Sequence, residues 1–222
     1  RQNLEQFDQA TPLFEAFIKK YPEHALVIEA RFRLGECQLA QGQAEAARKT
    51  WTDLLATHAD AESERLAEAA FLLSRTYDVP NPRTEVNLAL GVASLEKFLE
   101  QYPDHKRAAE ARLNIAQSYD SMGQYEDAVS SLQAFLADAR YADSEQTPHA
   151  RNLLGVCYQR QKKFAEAIDA WREYLAKHPA HSAWSEVQRQ IIDTEYLMGA
   201  DALSEKKYDQ ARELWNAFLA KN

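Results

Sequence analysis

The chain has 222 residues, 45% of them hydrophobic and 27% charged, an ordinary composition for a folded globular chain. Twenty-six Lys and Arg against 34 Asp and Glu leave a net charge of −8, so there is no broad basic footprint for DNA or RNA. No apolar run approaches the ~20 residues of a membrane span, and six Gly and seven Pro among many Ala, Leu, Glu and Gln favour helix almost throughout.

In chain order, residues 1–22 place Phe7, Ala10, Phe14, Phe17 and Ile18 at helical spacing and stop at Tyr21-Pro22, which reads as the second helix of a hairpin. Residues 23–59 form a full hairpin, with Leu34 and Gly35 on its first helix, a turn at Gln41-Gly42-Gln43, and Ala47, Trp51, Leu54 and Leu55 on its second. The next unit, 60–103, has Leu73, Ser74 and Tyr77, then a turn lengthened by the stretch 78–83, then Gly91, Leu95, Phe98 and Leu99. Two prolines make that loop stiff, and it is expected on the surface. Residues 104–140 carry Ile115, Ala116, Tyr119, Gly123, Tyr125, Ala128, Leu132, Phe135 and Leu136 in the same order, followed by a polar connection over 139–146.

Residues 147–179 show the unit most completely. Thr147 and Pro148 suit a helix start, Leu154, Gly155 and Tyr158 share one face, and the pattern breaks at Gln161-Lys162-Lys163. Phe164, Ala167, Ile168, Trp171, Tyr174 and Leu175 line a second helix that His178-Pro179 closes. A long first helix over 184–204, a turn at Lys206-Lys207 and a last helix with Tyr208, Ala211, Trp215, Phe218 and Leu219 complete the chain. A single such hairpin cannot bury its own apolar face, so the units must stack. The chain reads as one domain over 1–222 that opens mid-repeat and stops at Asn222 on a repeat boundary, a fragment of a longer protein. Both ends are expected to leave apolar surface bare and to support self-association. It contains no signal peptide and no lipid-attachment cysteine; an opening Arg1 is compatible with their removal.

Subtraction fixes the register. A small residue recurs on the first helix at Gly35, Ser74, Ala116, Gly155 and Gly199, and another on the second at Ala10, Ala47, Gly91, Ala128, Ala167 and Ala211. These positions predict close helix approach, with Gly155 facing Ala167 and Gly155→Ala nearly neutral. Four residues after each second-helix position stands a bulky one, Phe14, Trp51, Leu95, Leu132, Trp171 and Trp215, which is core. Cys37 and Cys157 lie at equivalent places three units apart, too far for the ~7 Å a disulfide allows between Cα atoms.

Leu154-Gly155…Tyr158 and Gly123-Gln124-Tyr125…Ala128, with an aromatic or aliphatic residue four positions on and a closing proline, resemble the tetratricopeptide (TPR) pattern over essentially the whole chain. The resemblance implies an all-α, right-handed TPR solenoid of about five and a half helical hairpins and a non-catalytic protein-interaction scaffold. The endings over 14–22, 95–103 and 171–179, with the run 29–36, are similar to a bacterial envelope subclass that includes the β-barrel assembly lipoprotein and the Tol-Pal-associated periplasmic coordinator. That likeness implies a periplasmic or envelope location; the alternative is the TPR segment of a larger protein that arranges or regulates a domain outside this sequence.

In the family, four positions of each first helix line a concave groove. Carried over, the candidates are Glu29, Phe32 and Glu36; Glu68, Phe71 and Arg75; Glu110, Leu113 and Gln117; Asn152; and Tyr196. Phe32, Phe71, Leu113 and Tyr196 share one position, so an exposed apolar row flanked by carboxylates would suit a protein or peptide segment with apolar anchors and basic flanks. The same position equally serves packing against the next repeat. The Lys and Asn of the carboxylate clamp of chaperone-binding arrays are replaced by Phe71 and Arg75, which disfavours that partner class.

No catalytic motif stands in the chain, and nothing implies a cofactor. Five of the six histidines, His24, His58, His105, His178 and His181, fall at repeat junctions, where a polar turn residue is expected. His178 and His181 lack a third metal ligand at suitable spacing. Arg31, Arg112 and Arg151 recur at one position, where ion pairs with neighbouring helices outweigh a row that grips an acidic partner.

Overall fold

A computed structural model describes residues 2–221, with side chains from residue 6 onward, so Arg1 and Asn222, the outermost residues of the expected first and last helices, lie outside it. Among the described residues there are eleven α-helices, two 3₁₀ turns and no strand. Contacts divide the chain into two compact units, 1–122 and 123–222. The first holds α1 (Gln2–Lys20), α2 (Val27–Ala40), α3 (Ala44–Thr57), α4 (Glu64–Leu73), a 3₁₀ turn at Ser74–Tyr77, α5 (Glu85–Gln101) and α6 (Ala108–Ser121). The second holds α7 (Tyr125–Ala137), a 3₁₀ turn at Ala139–Tyr141, α8 (Thr147–Arg160), α9 (Phe164–Lys177), α10 (Trp184–Ser204) and α11 (Tyr208–Lys221).

Four hairpin turns reverse the chain in three residues by putting the middle one in the left-handed region. Gly42 and Gly123 do so at φ 75°, Lys162 at 59° and Lys206 at 62°. Only glycine adopts this conformation without a Cβ penalty, so the two lysines carry a cost that the two glycines avoid. At the repeat junctions the next first helix is started by a side chain that accepts the backbone N–H two residues on. His24 Nδ1 takes Leu26 N–H at 3.1 Å, Ser63 Oγ takes Arg65 at 3.3 Å, and His105 Nδ1 takes Arg107 at 3.2 Å. Ser144 Oγ and His181 Nδ1 do the same for Gln146 and Ala183 at 3.2 and 3.3 Å. Histidine and serine are thus interchangeable here because each offers a short-reach acceptor to an orphan helix donor.

The core repeats with the sequence. In the first unit Ala47, Trp51 and Leu54 of α3 meet Phe32 of α2 and Leu66 and Ala69 of α4. In the second, Ala167, Trp171 and Tyr174 of α9 meet Val187 and Ile191 of α10. The glycine positions have a more specific cause than helix approach alone. A Cβ on Gly35, Gly155 or Gly199 would stand 2.2–2.3 Å from Nε1 of Trp51, Trp171 or Trp215. Each indole lies across its glycine and donates Nε1–H to a backbone carbonyl, of Phe32 at 3.2 Å, Asn152 at 3.1 Å and Tyr196 at 3.2 Å. A methyl added at Gly155 would therefore meet Trp171 first and is not neutral. Ala167 is fully buried in the same core.

The long loop of the second full repeat also differs from its expected place. Asp78, Asn81 and Arg83 are exposed, but Val79 and Pro82 are buried, and Val79 Cγ2 would lie 2.4 Å from a Cβ on Gly91. The loop is pinned into the hairpin by an apolar side chain filling the space that glycine leaves. Arg48 secures its entry, donating to Thr76 O at 2.7 Å and lying 4.0 Å from the centre of the Tyr77 ring.

Candidate partner-binding face

In the first unit the candidate residues of α2, α4 and α6 form one continuous set with partners that come from the next helix. Phe32 and Phe71 are not exposed: they retain 2% and 0% of their surface, and Leu113 is buried as well. The expected apolar row is core at these three positions. At the two rings, an arginine at the start of the following first helix lies over the face: Arg65 stands 5.0 Å from the centre of Phe32 and Arg107 4.7 Å from that of Phe71. From below, Phe98 meets Phe71 edge-on at 5.6 Å. An aromatic face under a guanidinium is a favourable contact, and here it closes the row against solvent.

The same arginines neutralise the flanking carboxylates. Arg65 Nε donates to Glu29 at 2.5 Å, and Arg33 bridges Glu29 and Glu36 at 2.8 Å each. One repeat on, Arg107 bridges Glu68 at 2.7 Å and Glu110 at 2.8 Å, Lys106 reaches Glu68 at 3.1 Å, and Arg75 reaches Glu110 at 3.4 Å. Burial pushes Glu29 and Glu68 upward, but the hydrogen bonds from Arg65 and Arg33, and from Lys106 and Arg107, outweigh it and hold both below the usual carboxylate range. The carboxylates expected to meet basic partner residues are therefore engaged within the chain. Gln117 lies half-buried beside this ladder.

In the second unit the equivalent face is built differently. Asn152 of α8 is half-buried, and its Oδ1 accepts Trp171 Nε1–H at 3.0 Å, which makes it part of the hairpin core rather than a free contact group. Gln159 donates to Thr194 Oγ1 at 2.7 Å. On α10, Tyr196 stays 51% exposed, resting its ring on Trp215 at 5.9 Å, with no later first helix among the described residues to lay a side chain over it. Ile192 and Leu203 are exposed on the same helix, and the spacing 192, 196, 203 puts all three on one face. Of the four residues at the shared position, Tyr196 alone is open to solvent. Sequence reading named Arg75 but not Arg65, Lys106 or Arg107; the signal available was an Arg three residues before Glu68 and again before Glu110.

The recurrent arginines do structural work: Arg151 pairs with Glu173 at 2.7 Å and Arg31 reaches Thr57 Oγ1 at 3.5 Å. Glu64, Glu68 and His105 bring metal-ligand atom types within 4.8 Å of one another. Yet Lys106 bridges the two carboxylates, at 2.5 Å to Glu64, and His105 Nδ1 accepts the Arg107 N–H. A ring that accepts at Nδ1 holds its proton at Nε2, the atom 3.3 Å from Glu64, so no lone pair is left there for a metal. His181 is committed likewise, its Nδ1 facing Ala183 N–H and the Tyr174 hydroxyl at 2.6 Å. These are ion-pair and capping sites.

Tetratricopeptide repeat models match residues 4–70 and 113–182, together more than half of the chain. The chain belongs to the tetratricopeptide repeat family. Among solved structures it is similar to BtubC from P. vanneervenii, at 15% identity over 99% of this chain and 89% of that one, with a TM-score of 0.56. It is also similar to a MamA fragment from Desulfovibrio magneticus RS-1, at 17% identity over 87% and 93%, with a TM-score of 0.50. At these identities the likeness is one of fold. No curated protein sequence matches the chain significantly. Proteins of the TPR family are in general protein-interaction scaffolds, a fold type without chemistry of its own.

Proposed function

We propose that this TPR protein is a non-catalytic scaffold that holds a protein or peptide segment along its first-helix face, and that it works in the bacterial cell envelope. The observation that carries the reading is the open apolar face of α10, Ile192, Tyr196 and Leu203, where the arginine-over-ring closure of α2 and α4 is missing. Apolar and aromatic side chains that stay exposed at such a face are the anchors a partner buries. Basic flanks on the partner are not required by this face, since the carboxylates of the first unit are already paired. The envelope location rests on the likeness of the repeat endings to envelope TPR proteins. The exposed Leu13 of α1 and Leu219 of α11 support self-association through the outer helices as a second property.

The test is a variant measured against a partner captured from envelope extracts. Leu203→Ser should weaken binding by more than about 1 kcal/mol with the thermal midpoint unchanged. Retained affinity would move the site off α10. Capture from cytoplasmic but not envelope fractions would remove the location while leaving the scaffold reading intact.

A further inference from the structure

One position of the repeat is filled in every full hairpin but the second. Four residues before the small residue of each first helix stand Arg31, Ala70, Arg112, Arg151 and Glu195, so α4 alone has no long charged side chain there. Six residues after the small residue of each second helix stand Asp53, Lys97, Ala134, Glu173 and Ala217. Where α8 meets α9 the two positions form an ion pair, Arg151 with Glu173 at 2.7 Å, and Arg151 keeps only 11% of its side chain exposed. Where α2 meets α3, Arg31 and Asp53 line one shared depression. Between α10 and α11 the polarity is reversed: Glu195 accepts from Lys221, one turn beyond Ala217. The hairpin of α4 and α5 has the lysine of such a reversed pair, Lys97, but Ala70 in place of the acid.

Between Ala70 and Lys97 lies a cleft of about 290 Å³ bounded by α3, α4 and α5. Leu55, Leu66, Leu73 and Phe98 make its lining apolar around Ala70, and Lys97 is the one charged residue that lines it. Glu96 and Glu100 are exposed beside Lys97 on α5 but take no part in the lining. Thr52, Gln101 and Tyr102, all uncharged, add O–H and N–H donors to it. An apolar lining that offers donors and one cation suits an apolar chain ending in a charged acceptor. At the ~30 Å³ that a water-sized group occupies in a liquid, the cleft holds roughly ten non-hydrogen atoms, the size of octanoate.

We propose that this cleft binds a medium-chain aliphatic carboxylate, with the chain against the apolar lining around Ala70 and the carboxylate on Lys97. The ligand supplies the acid that Glu195 provides from within the chain between α10 and α11. The site does not rest on the scaffold reading, in which α10 is the binding element.

The test is titration of the intact chain with octanoate, followed by methyl and ring NMR. Saturable shifts should appear at Leu55, Leu66, Leu73 and Phe98, with Tyr196 and Leu203 unmoved. Octanol and octylammonium, which keep the chain and change the head group, should each bind about 10-fold more weakly or worse, the loss expected when a charge-assisted hydrogen bond is removed. Affinity should rise from butanoate to octanoate and level off by dodecanoate, once the cleft is full. Lys97 is exposed, so its replacement leaves the fold intact, as unchanged far-ultraviolet circular dichroism will show. Lys97→Gln should weaken octanoate by about the same factor, and Lys97→Glu should make octylammonium the tighter ligand. Octanol binding as tightly as octanoate, octanoate affinity unchanged in Lys97→Gln, or no shift in the cleft at millimolar octanoate overturns the proposal. A steady gain in affinity beyond dodecanoate overturns it as well, since the chain would then lie on open surface.

Discussion

The three indoles that lie across glycines make a prediction at the smallest scale. A methyl on Gly155 would fall inside van der Waals contact with Trp171, which is itself fully buried and cannot swing into space. Gly155→Ala should cost about 1–3 kcal/mol by overpacking. The sequence shows the compensation: where this position carries a Cβ, at Ser74 and Ala116, the bulky position holds Leu95 and Leu132 instead of Trp. Urea denaturation of Gly155→Ala, Trp171→Leu and the double variant should give a coupling of at least about 1 kcal/mol in the favourable direction. Simple additivity would show that the two residues do not meet. Lys206 offers the converse case. Its φ of 62° is strained for a residue with a Cβ, and Lys206→Gly should raise stability by about 0.5–1 kcal/mol, in line with Gly42 and Gly123 at the matching turns.

Between α9 and α10 a half-buried histidine sets a pH dependence. Burial, then the Arg151 guanidinium, His181 and Lys177, push His178 below the ordinary histidine value of 6.5. The folded state thus keeps the ring neutral while the unfolded chain takes up its proton first. Stability from this source is complete above about pH 6.5 and is lost as the pH falls toward the depressed folded value. Denaturant midpoints between pH 7.5 and 5 should fall for the parent chain and fall less for His178→Gln; parallel curves would assign the acid sensitivity to other groups. On α4, Phe71→Ala removes a fully buried ring between Arg107 and Phe98, and should lower stability by about 3–5 kcal/mol. A thermal midpoint that does not move would return Phe71 to the surface.

For the molecule as a whole, the repeat pattern carried nearly all of the secondary structure. Glycine, proline and the small-then-bulky spacing mark turns, ends and inner faces through local sterics, which depend only on neighbours in sequence, and α2, α3, α8 and α9 fall where those signals put them. Fold class was legible for the same reason, since a hairpin with one bare apolar face can only stack. Tertiary structure decided the rest. Phe32 and Phe71 are closed off by Arg65 and Arg107 of the following first helix, residues 33 and 36 positions away in the chain, whereas no later first helix among the described residues covers Tyr196. The loop over 78–83 went inward because Gly91, further along the chain, leaves room for Val79. Charge alone likewise marked Glu29, Glu68 and Glu110 as a surface for a basic partner, but an ion pair is set by distance in space. Once folding brings Arg33, Arg65, Lys106 and Arg107 within 2.5–3.1 Å of those carboxylates, the field a partner would meet is largely cancelled.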